Sequence, residues 1–164
     1  MSEPAAASVR VWRLVKEKHI ETAFDGEGAR LYGGPWNSNG HRVVYTSSSL
    51  ALAALETLVH LDTSLPLPRF MAFCVYLPAG YISQVSLPSS AFSGPLPSLT
   101  ETRRLGDAWL TEGRHPALSV PSAIIPQESN FLLNPVHPLF PKLVIAPPIS
   151  FALDTRLQRQ TQVP

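Results

Sequence analysis

The pattern of apolar and polar positions predicts a chain in which strands and helices alternate. Residues 9–15 alternate in polarity, as half-buried strands do, and residues 41–47 are predicted to form a second strand. The dipeptide Asn39-Gly40, which precedes the second of these segments, is favoured in hairpin turns. Residues 69–77 are apolar at nearly every position, which favours a central strand that is covered on both faces.

The clearest predicted helix covers residues 47–62. Its apolar face is predicted to consist of neighbouring alanines together with Leu52, Leu55 and Val59. Ser47 or Ser48 can cap this helix by accepting a hydrogen bond from an amide of its first turn. A second, weaker helix is predicted over residues 99–113.

Loops and short strands account for the rest of the chain. The predicted segments are a Gly-rich loop at 24–40, a Pro/Ser-rich connection at 86–100, a strand at 117–125 interrupted by Pro121, an irregular stretch at 126–140, and a strand, a bend and a short strand within 142–154. This order of elements is typical of a mixed α/β or α+β domain. We therefore predict a single domain over residues 1–164.

The composition describes a compact protein with little charge. Of its 164 residues, 45% are hydrophobic and 15% are charged, and the net charge of +1 gives no bulk attraction to nucleic acid or to a membrane surface. The single cysteine, Cys74, cannot form an intrachain disulfide. The first residues do not resemble a signal peptide, and no apolar run reaches the roughly 20 residues of a membrane span. The sequence therefore predicts a cytoplasmic protein.

Three side chains are candidates for chemistry, although none is specific by itself. Glu56 lies close to the apolar face of the first helix, where an ionised carboxylate is costly unless it is paired or faces a polar cavity. It is either a surface glutamate, free or bonded to His60, or a catalytic carboxylate in a cleft. Tyr45 is either a core residue or a ring that stacks on a ligand. Ser122 is either bonded to nearby backbone or part of a site.

Several other kinds of site are not supported. The five histidines lack the spacing of metal ligands, and one cysteine cannot complete a usual zinc set, so we predict no metal site. The Gly-rich loop has Leu31 where the dinucleotide-binding fingerprint has its last glycine. Arg103-Arg104 is interpreted as a solvated helix face rather than a nucleic-acid patch.

Two long blocks of the sequence resemble the RES domain, a family that supplies the toxin of RES–Xre toxin–antitoxin pairs. They are "FDGEGARLYGGPWNSNGHRVVYTSSSLALAALETLVHL" and "VPSAIIPQESNFLLNPVHP", in this order. The resemblance implies an ADP-ribosyltransferase-like fold with a central mixed β-sheet flanked by helices. It also implies that NAD⁺ is a substrate, broken at the nicotinamide–ribose bond, and that no cofactor is bound.

The resemblance also implies the residues of the site. Its catalytic residues correspond to Glu56, Tyr45 and Ser122. Its substrate-binding residues correspond to Gly33, Gly34, Trp36, Asn37, Arg30 and Asn134. In this family a carboxylate stabilises the positive charge that develops on the ribose, an aromatic ring stacks on nicotinamide, and a hydroxyl fixes the amide or the ribose. The acceptor can be water, inorganic phosphate or a protein side chain.

One family residue is missing, because Pro35 occupies the position of the arginine in Gly-Gly-Arg-Trp-Asn. An arginine in this loop would bind the diphosphate of NAD⁺ through charge-assisted hydrogen bonds, whereas proline offers neither charge nor N–H. Losing one such contact costs about 1.5–3 kcal/mol, or roughly ten- to a hundredfold in affinity or rate. We therefore expect impaired activity. Three explanations stay open: the arginine was removed by mutation, the protein is a naturally weakened member, or Arg30 or Arg42 replaces it.

The family resemblance implies an Xre-like antitoxin as the partner, and it is compatible with a homo-oligomer. Two other functions stay open at this point. The chain could be a catalytically inactive module that binds nucleotide or antitoxin, or an ADP-ribosyltransferase that acts on a protein target.

Overall fold

Eight strands form one sheet in the computed structural model, which describes residues 7–88 and 96–158. The strands are β1 (Ser8–Lys16), β2 (Val44–Ser47), β3 (Phe70–Pro78), β4 (Ile82–Gln84), β5 (Ala117–Pro121), β6 (Ser129–Leu133), β7 (Val144–Ile145) and β8 (Ile149–Phe151). Their order is β4-β5-β6-β2-β1-β3-β7, and β8 also pairs with β3. In the described part β4 and β5 run parallel and the other pairs antiparallel. The predicted mixed α/β class is confirmed.

Three α-helices accompany the sheet in the described ranges. They are α1 (Glu27–Tyr32), α2 (Leu50–Leu58) and α3 (Leu99–Glu112). Short 3₁₀ helices cover Glu17–Thr22, Ala79–Tyr81, Phe140–Lys142 and Thr155–Leu157. Among the helices described here, each is too short or too polar to cross a membrane.

Both faces of the sheet are covered at its centre. Successive residues of β6 belong to different clusters, because side chains alternate between the two faces of a strand. Phe131 and Leu133 pack in a cluster with Val11 and Val75, whereas Leu132 packs with the indoles of two tryptophans. These tryptophans, Trp36 and Trp109, belong to the Gly-rich segment and to α3 respectively. The second cluster therefore joins the Gly-rich segment and α3 to the sheet.

Three predictions about the loops are wrong. Residues 126–140 contain β6, which was hard to recognise because its apolar residues do not alternate with polar ones. The predicted loop at 24–40 contains the short helix α1. The Asn39-Gly40 dipeptide does not form a hairpin turn, because α1 rather than a strand precedes it and only Gly40 has a positive φ, at 100°. Residues 89–95 of the predicted Pro/Ser-rich connection lie outside the described part.

The start and the buried face of α2 also differ from the prediction. The cap is Ser49, whose hydroxyl accepts a hydrogen bond from the Leu52 amide at 3.0 Å. Ser47 is not the cap because it is the last residue of β2. Leu55 and Val59 are 39% and 59% exposed, so they do not form the buried face. That face consists of Leu52 and Ala53, with Glu56 on the next turn.

Candidate active site

The Glu56 carboxylate is held in place through one of its two oxygens. Its Oε1 accepts a hydrogen bond from the Ser122 hydroxyl at 2.7 Å and another from the Asn130 side-chain amide at 2.6 Å. Its Oε2 accepts no hydrogen bond from residues 7–88 or 96–158. The carboxylate is therefore fixed in orientation while one oxygen stays available to a ligand.

Ser122 and Asn130 are themselves fixed by their neighbours. The buried Ser122 hydroxyl accepts hydrogen bonds from the amides of Ile124 and Ile125, each at 3.1 Å. The Asn130 side-chain oxygen Oδ1 accepts one from the Ser47 hydroxyl at 2.8 Å. These contacts join the end of β2, the start of β6 and the connection after β5 to one carboxylate on α2.

A cavity of about 460 Å³ opens beside Glu56. Its walls include Glu56, Asn130, Tyr45, residues 12–14 of β1 and the segment Gly33–Trp36. Small-molecule sites in proteins typically have about 300–1,000 Å³, so the cavity can accept the reacting half of a dinucleotide.

The segment Gly33–Asn37, hereafter the glycine loop, is fixed to Tyr45. The Gly34 amide donates to the Asn37 carbonyl at 2.9 Å and closes a turn that has Pro35 and Trp36 at its centre. The Tyr45 hydroxyl accepts from the Trp36 amide at 3.1 Å and donates to the Asn37 side-chain oxygen at 2.7 Å. A Cβ atom on Gly34 would lie 2.5 Å from the Tyr45 hydroxyl oxygen, so only glycine fits this approach.

Burial raises the pKa of Tyr45, and the nearby Arg103 guanidinium and the Trp36 amide only partly oppose this effect. The phenol is therefore protonated at neutral pH and can donate to Asn37. Its ring lines the cavity while its hydroxyl holds the glycine loop. Tyr45 is thus both a wall of the cavity and a support of the loop.

The expected substrate-binding residues do not all lie in the Glu56 cavity. Gly33, Gly34 and Trp36 line the Glu56 cavity. Asn37 is fully buried, and its amide nitrogen donates to the carbonyls of Ala29, Ser38 and His41. It therefore supports the loop from within and does not line the cavity.

Arg30 and Asn134 line a second cavity of about 270 Å³ instead. Arg42 lines this cavity too, and both arginines bind the Glu27 carboxylate, at 2.5 and 2.7 Å. Each of the two arginines that the sequence offered as a replacement at Pro35 is thus engaged outside the Glu56 cavity.

Arg13 is a site residue that sequence reasoning missed. It belongs to β1 and lines the Glu56 cavity, where its Nε donates to the Ala23 carbonyl and its Nη1 to the Tyr45 carbonyl at 2.9 Å. Burial lowers the pKa of Arg13 to about 10, and the Asp25 carboxylate acts in the opposite direction. The guanidinium is therefore charged at neutral pH. An arginine at a polar position of an alternating strand carries no signal that distinguishes it from a surface residue.

Helix α3 holds the glycine loop from the other side. The Thr102 hydroxyl donates to the Pro35 carbonyl at 2.5 Å, and the Arg103 Nε donates to the Gly34 carbonyl at 2.8 Å. A Cβ atom on Gly106 would lie 1.7 Å from the Trp36 carbonyl oxygen. The helix therefore contacts three successive carbonyl groups of the loop.

The interpretation of Arg103-Arg104 as a solvated helix face holds for one residue of the pair. Arg104 is exposed and forms an ion pair with Glu101 at 2.6 Å. Arg103 instead binds the backbone of the glycine loop. Adjacent residues lie about 100° apart around a helix, so the two arginines necessarily project in different directions.

Comparison of the fold with solved structures defines its class. The chain is similar to a chain in the crystal structure of the M. tuberculosis MbcT–MbcA toxin–antitoxin complex, with a TM-score of 0.67 over 89% of this chain and 85% of that chain, at 15% identity. The likeness confirms the expected ADP-ribosyltransferase-like fold, a mixed sheet flanked by helices.

The sequence comparisons identify the family. The model of the RES domain matches residues 10–154. The chain is 38% identical to a protein named Toxin Res from Yersinia enterocolitica over 152 residues, which cover 90% of this chain and 99% of that protein. It is 37% identical to the Prs ADP-ribosylating toxin of a Sphingobium species, over 77% of this chain and 83% of that one. The chain belongs to the RES domain family.

Proposed function

We propose that this protein is the toxin of a toxin–antitoxin pair and that it consumes NAD⁺ by breaking the nicotinamide–ribose bond. The observation that carries the proposal is the Glu56 carboxylate, which is fixed through Oε1 beside a cavity and has Oε2 available. The names of the relatives support a toxin, and that of the Sphingobium relative supports ADP-ribosyl chemistry.

The Glu56 carboxylate suits this reaction because positive charge develops on the ribose. When the C1′–N bond breaks, its electron pair leaves with neutral nicotinamide, and the ribose becomes oxocarbenium-like. A fixed anion stabilises this charge more strongly than mobile solvent does. Glu56 Oε2 is also free to accept a hydrogen bond from a ribose hydroxyl. The acceptor oxygen then bonds to C1′, and with water as acceptor a proton is released to solvent and the second product is ADP-ribose.

The surrounding residues orient the carboxylate and the substrate. We assign Ser122 and Asn130 as positioning residues, because their polar groups act on Glu56 Oε1. The Tyr45 ring is placed to pack on the nicotinamide side of the substrate, as the family resemblance implies. Arg13 places a positive charge in the same cavity, which favours an anionic substrate.

The test is nicotinamide release from NAD⁺ by the purified protein and by its Glu56→Gln variant. Removing one electrostatic group aimed at the reacting atoms costs about 100- to 1,000-fold in kcat. The matched control is Glu112→Gln, which removes a carboxylate on an exposed part of α3 and should leave the rate unchanged. An unchanged rate in Glu56→Gln would contradict the proposal.

The products decide between the remaining versions of this function. Free ADP-ribose in equal amount to nicotinamide indicates transfer to water. Label from NAD⁺ that stays on protein favours an ADP-ribosyltransferase, the activity in the name of the Sphingobium relative. Binding without turnover, even after Pro35→Arg, favours an inactive nucleotide- or antitoxin-binding module.

An antitoxin is the proposed protein partner. A solved structure with the same fold is that of a toxin–antitoxin complex, which supports this proposal. Whether the partner is of the Xre type is tested by co-expressing the chain with the protein encoded beside it and measuring whether the two purify together.

A further inference from the structure

The glycine loop carries no charged side chain, but a guanidinium lies directly against its backbone. Resting on the function proposed above, we infer that Arg103 of α3 binds the diphosphate of NAD⁺ and supplies the contact that Pro35 cannot make. The role belongs to a helix that the family motif does not include.

The position of Arg103 supports this role. Its Nε donates to the Gly34 carbonyl at 2.8 Å, and its Nη2 lies 3.6 Å from the point that a Cβ on Gly33 would occupy. Both glycines line the Glu56 cavity. Arg103 is not among the described residues that line this cavity, so we place the diphosphate at the edge of the cavity, beside the Gly33–Gly34 backbone that Arg103 contacts.

The outer nitrogens of Arg103 are available for a ligand. Within residues 7–88 and 96–158, Nη1 and Nη2 donate no hydrogen bond, and no carboxylate lies within 4.0 Å of the guanidinium. Arg104, by contrast, is bound to Glu101 through Nε and Nη2. A guanidinium that is anchored through Nε and free at both Nη atoms presents the fork that binds phosphate oxygens in pairs.

Arg103 contacts the glycine loop at the residue that precedes Pro35, through the Gly34 carbonyl. Neighbouring Thr102 is bonded to the Pro35 carbonyl, so the first turn and a half of α3 is fixed against the loop. Arg30 and Arg42 are both bound to Glu27 at the second cavity. We therefore assign the positive charge that replaces the missing arginine to Arg103 of α3, rather than to Arg30 or Arg42.

The experiment compares NAD⁺ with nicotinamide riboside, which has the scissile bond but no diphosphate. In Arg103→Ala we expect kcat/KM for NAD⁺ to fall about ten- to a hundredfold, mostly through KM, because one charge-assisted contact is lost. The value for nicotinamide riboside should fall much less, because that substrate reports only the loss of the contact between Arg103 Nε and the Gly34 carbonyl. Arg104→Ala is the matched control and should change neither value.

Two outcomes would overturn the assignment. An equal loss with both substrates would mean that Arg103 only shapes the loop, and an unchanged value for NAD⁺ would mean that it does not bind substrate. We further expect Pro35→Arg to restore NAD⁺ turnover about tenfold or more in Arg103→Ala, since the two arginines would serve one diphosphate. No rescue would also contradict the inference.

Binding of ADP-ribose, measured by calorimetry, separates this inference from the proposed function. This binding measurement requires no turnover, so its result can be interpreted even if Glu56→Gln shows that the proposed reaction is wrong. Weaker binding in Arg103→Ala but not in Arg104→Ala supports the Arg103 site in either case. Equal affinity in both variants, or no binding by the unchanged protein, would refute it.

Discussion

A single carboxylate oxygen sets the chemistry of this site. Glu56 is not buried among apolar groups, and its orientation comes from two donors on one oxygen, Ser122 and Asn130. A carboxylate free to rotate would lose side-chain entropy on meeting the substrate. Here that entropy is lost on folding, and Oε2 accepts no hydrogen bond from the described residues, which suits the proposed action on the ribose.

Residue identity was easier to predict from the sequence than residue role. Glu56 and Ser122 are candidates because each is a polar group next to apolar ones, and Tyr45 because it ends the predicted strand before the helix. Their contacts could not be predicted, because Ser122 and Asn130 meet Glu56 across 66 and 74 residues of chain. Asn130 was missed since its strand was not recognised.

Tyr45→Phe tests whether the Tyr45 hydroxyl stabilises the glycine loop. The change leaves the Asn37 oxygen without its donor and the Trp36 amide without its acceptor. We expect the free energy of unfolding at pH 8 to fall by about 1–3 kcal/mol, the cost of an unsatisfied buried group. Chemical denaturation of both proteins measures this difference.

The same pair of proteins gives a pH test with a definite sign. Burial raises the pKa of Tyr45 in the folded state, so above about pH 10 the unfolded chain loses the phenol proton first. The stability that the neutral phenol contributes is complete below that pH and decreases above it. The difference between the native protein and Tyr45→Phe should therefore shrink from pH 10 to pH 11. Arg13 is present in both proteins, so its titration cancels in this difference. A difference in the free energy of unfolding that stays constant from pH 10 to pH 11 would contradict a buried, neutral Tyr45 phenol.

At the scale of elements, α3 acts as a brace for the glycine loop. Thr102, Arg103 and Gly106 meet three successive carbonyls, and the Asp107 carboxylate accepts from the Ser38 amide at 2.9 Å. The sequence predicted a helix over residues 99–113, and α3 covers Leu99–Glu112 with Gly113 as its C-cap, at a φ of 60°. Its contact with the loop could not be predicted, because Gly106 gives no pattern signal.

Gly106→Ala is the test of this brace. The new methyl group would lie 1.7 Å from the Trp36 carbonyl oxygen, so helix and loop must separate. Overpacking of this kind costs about 1–3 kcal/mol, and we expect nicotinamide release to fall with it because the loop moves. The melting temperature and the rate together measure the effect.

Gly28→Ala is the matched control for this change. Gly28 lies in α1, and a Cβ there has nothing within 4 Å. Alanine should stabilise that helix by about 0.5–1 kcal/mol and leave the rate unchanged. If Gly106→Ala behaved like Gly28→Ala, α3 would not brace the loop.

At the scale of the whole molecule, the sheet brings the site together from distant parts of the chain. β6 pairs with β2 and β5, which places Asn130 beside Ser47 and close to the Ser122 turn. The mixed α/β class could be predicted from the order of elements. The strand order could not, because β6 and β4 were not recognised and non-local pairing leaves no local pattern.

The central claim is that the Glu56 carboxylate meets the nicotinamide ribose of NAD⁺. The most direct measurement is a crystal structure of the Glu56→Gln protein with NAD⁺ bound. We predict the nicotinamide ribose within hydrogen-bonding distance of residue 56, between Tyr45 and Asn130, with the diphosphate at the Arg103 guanidinium. NAD⁺ bound in the second cavity beside Arg30 and Arg42, with the Glu56 cavity empty, would contradict the account.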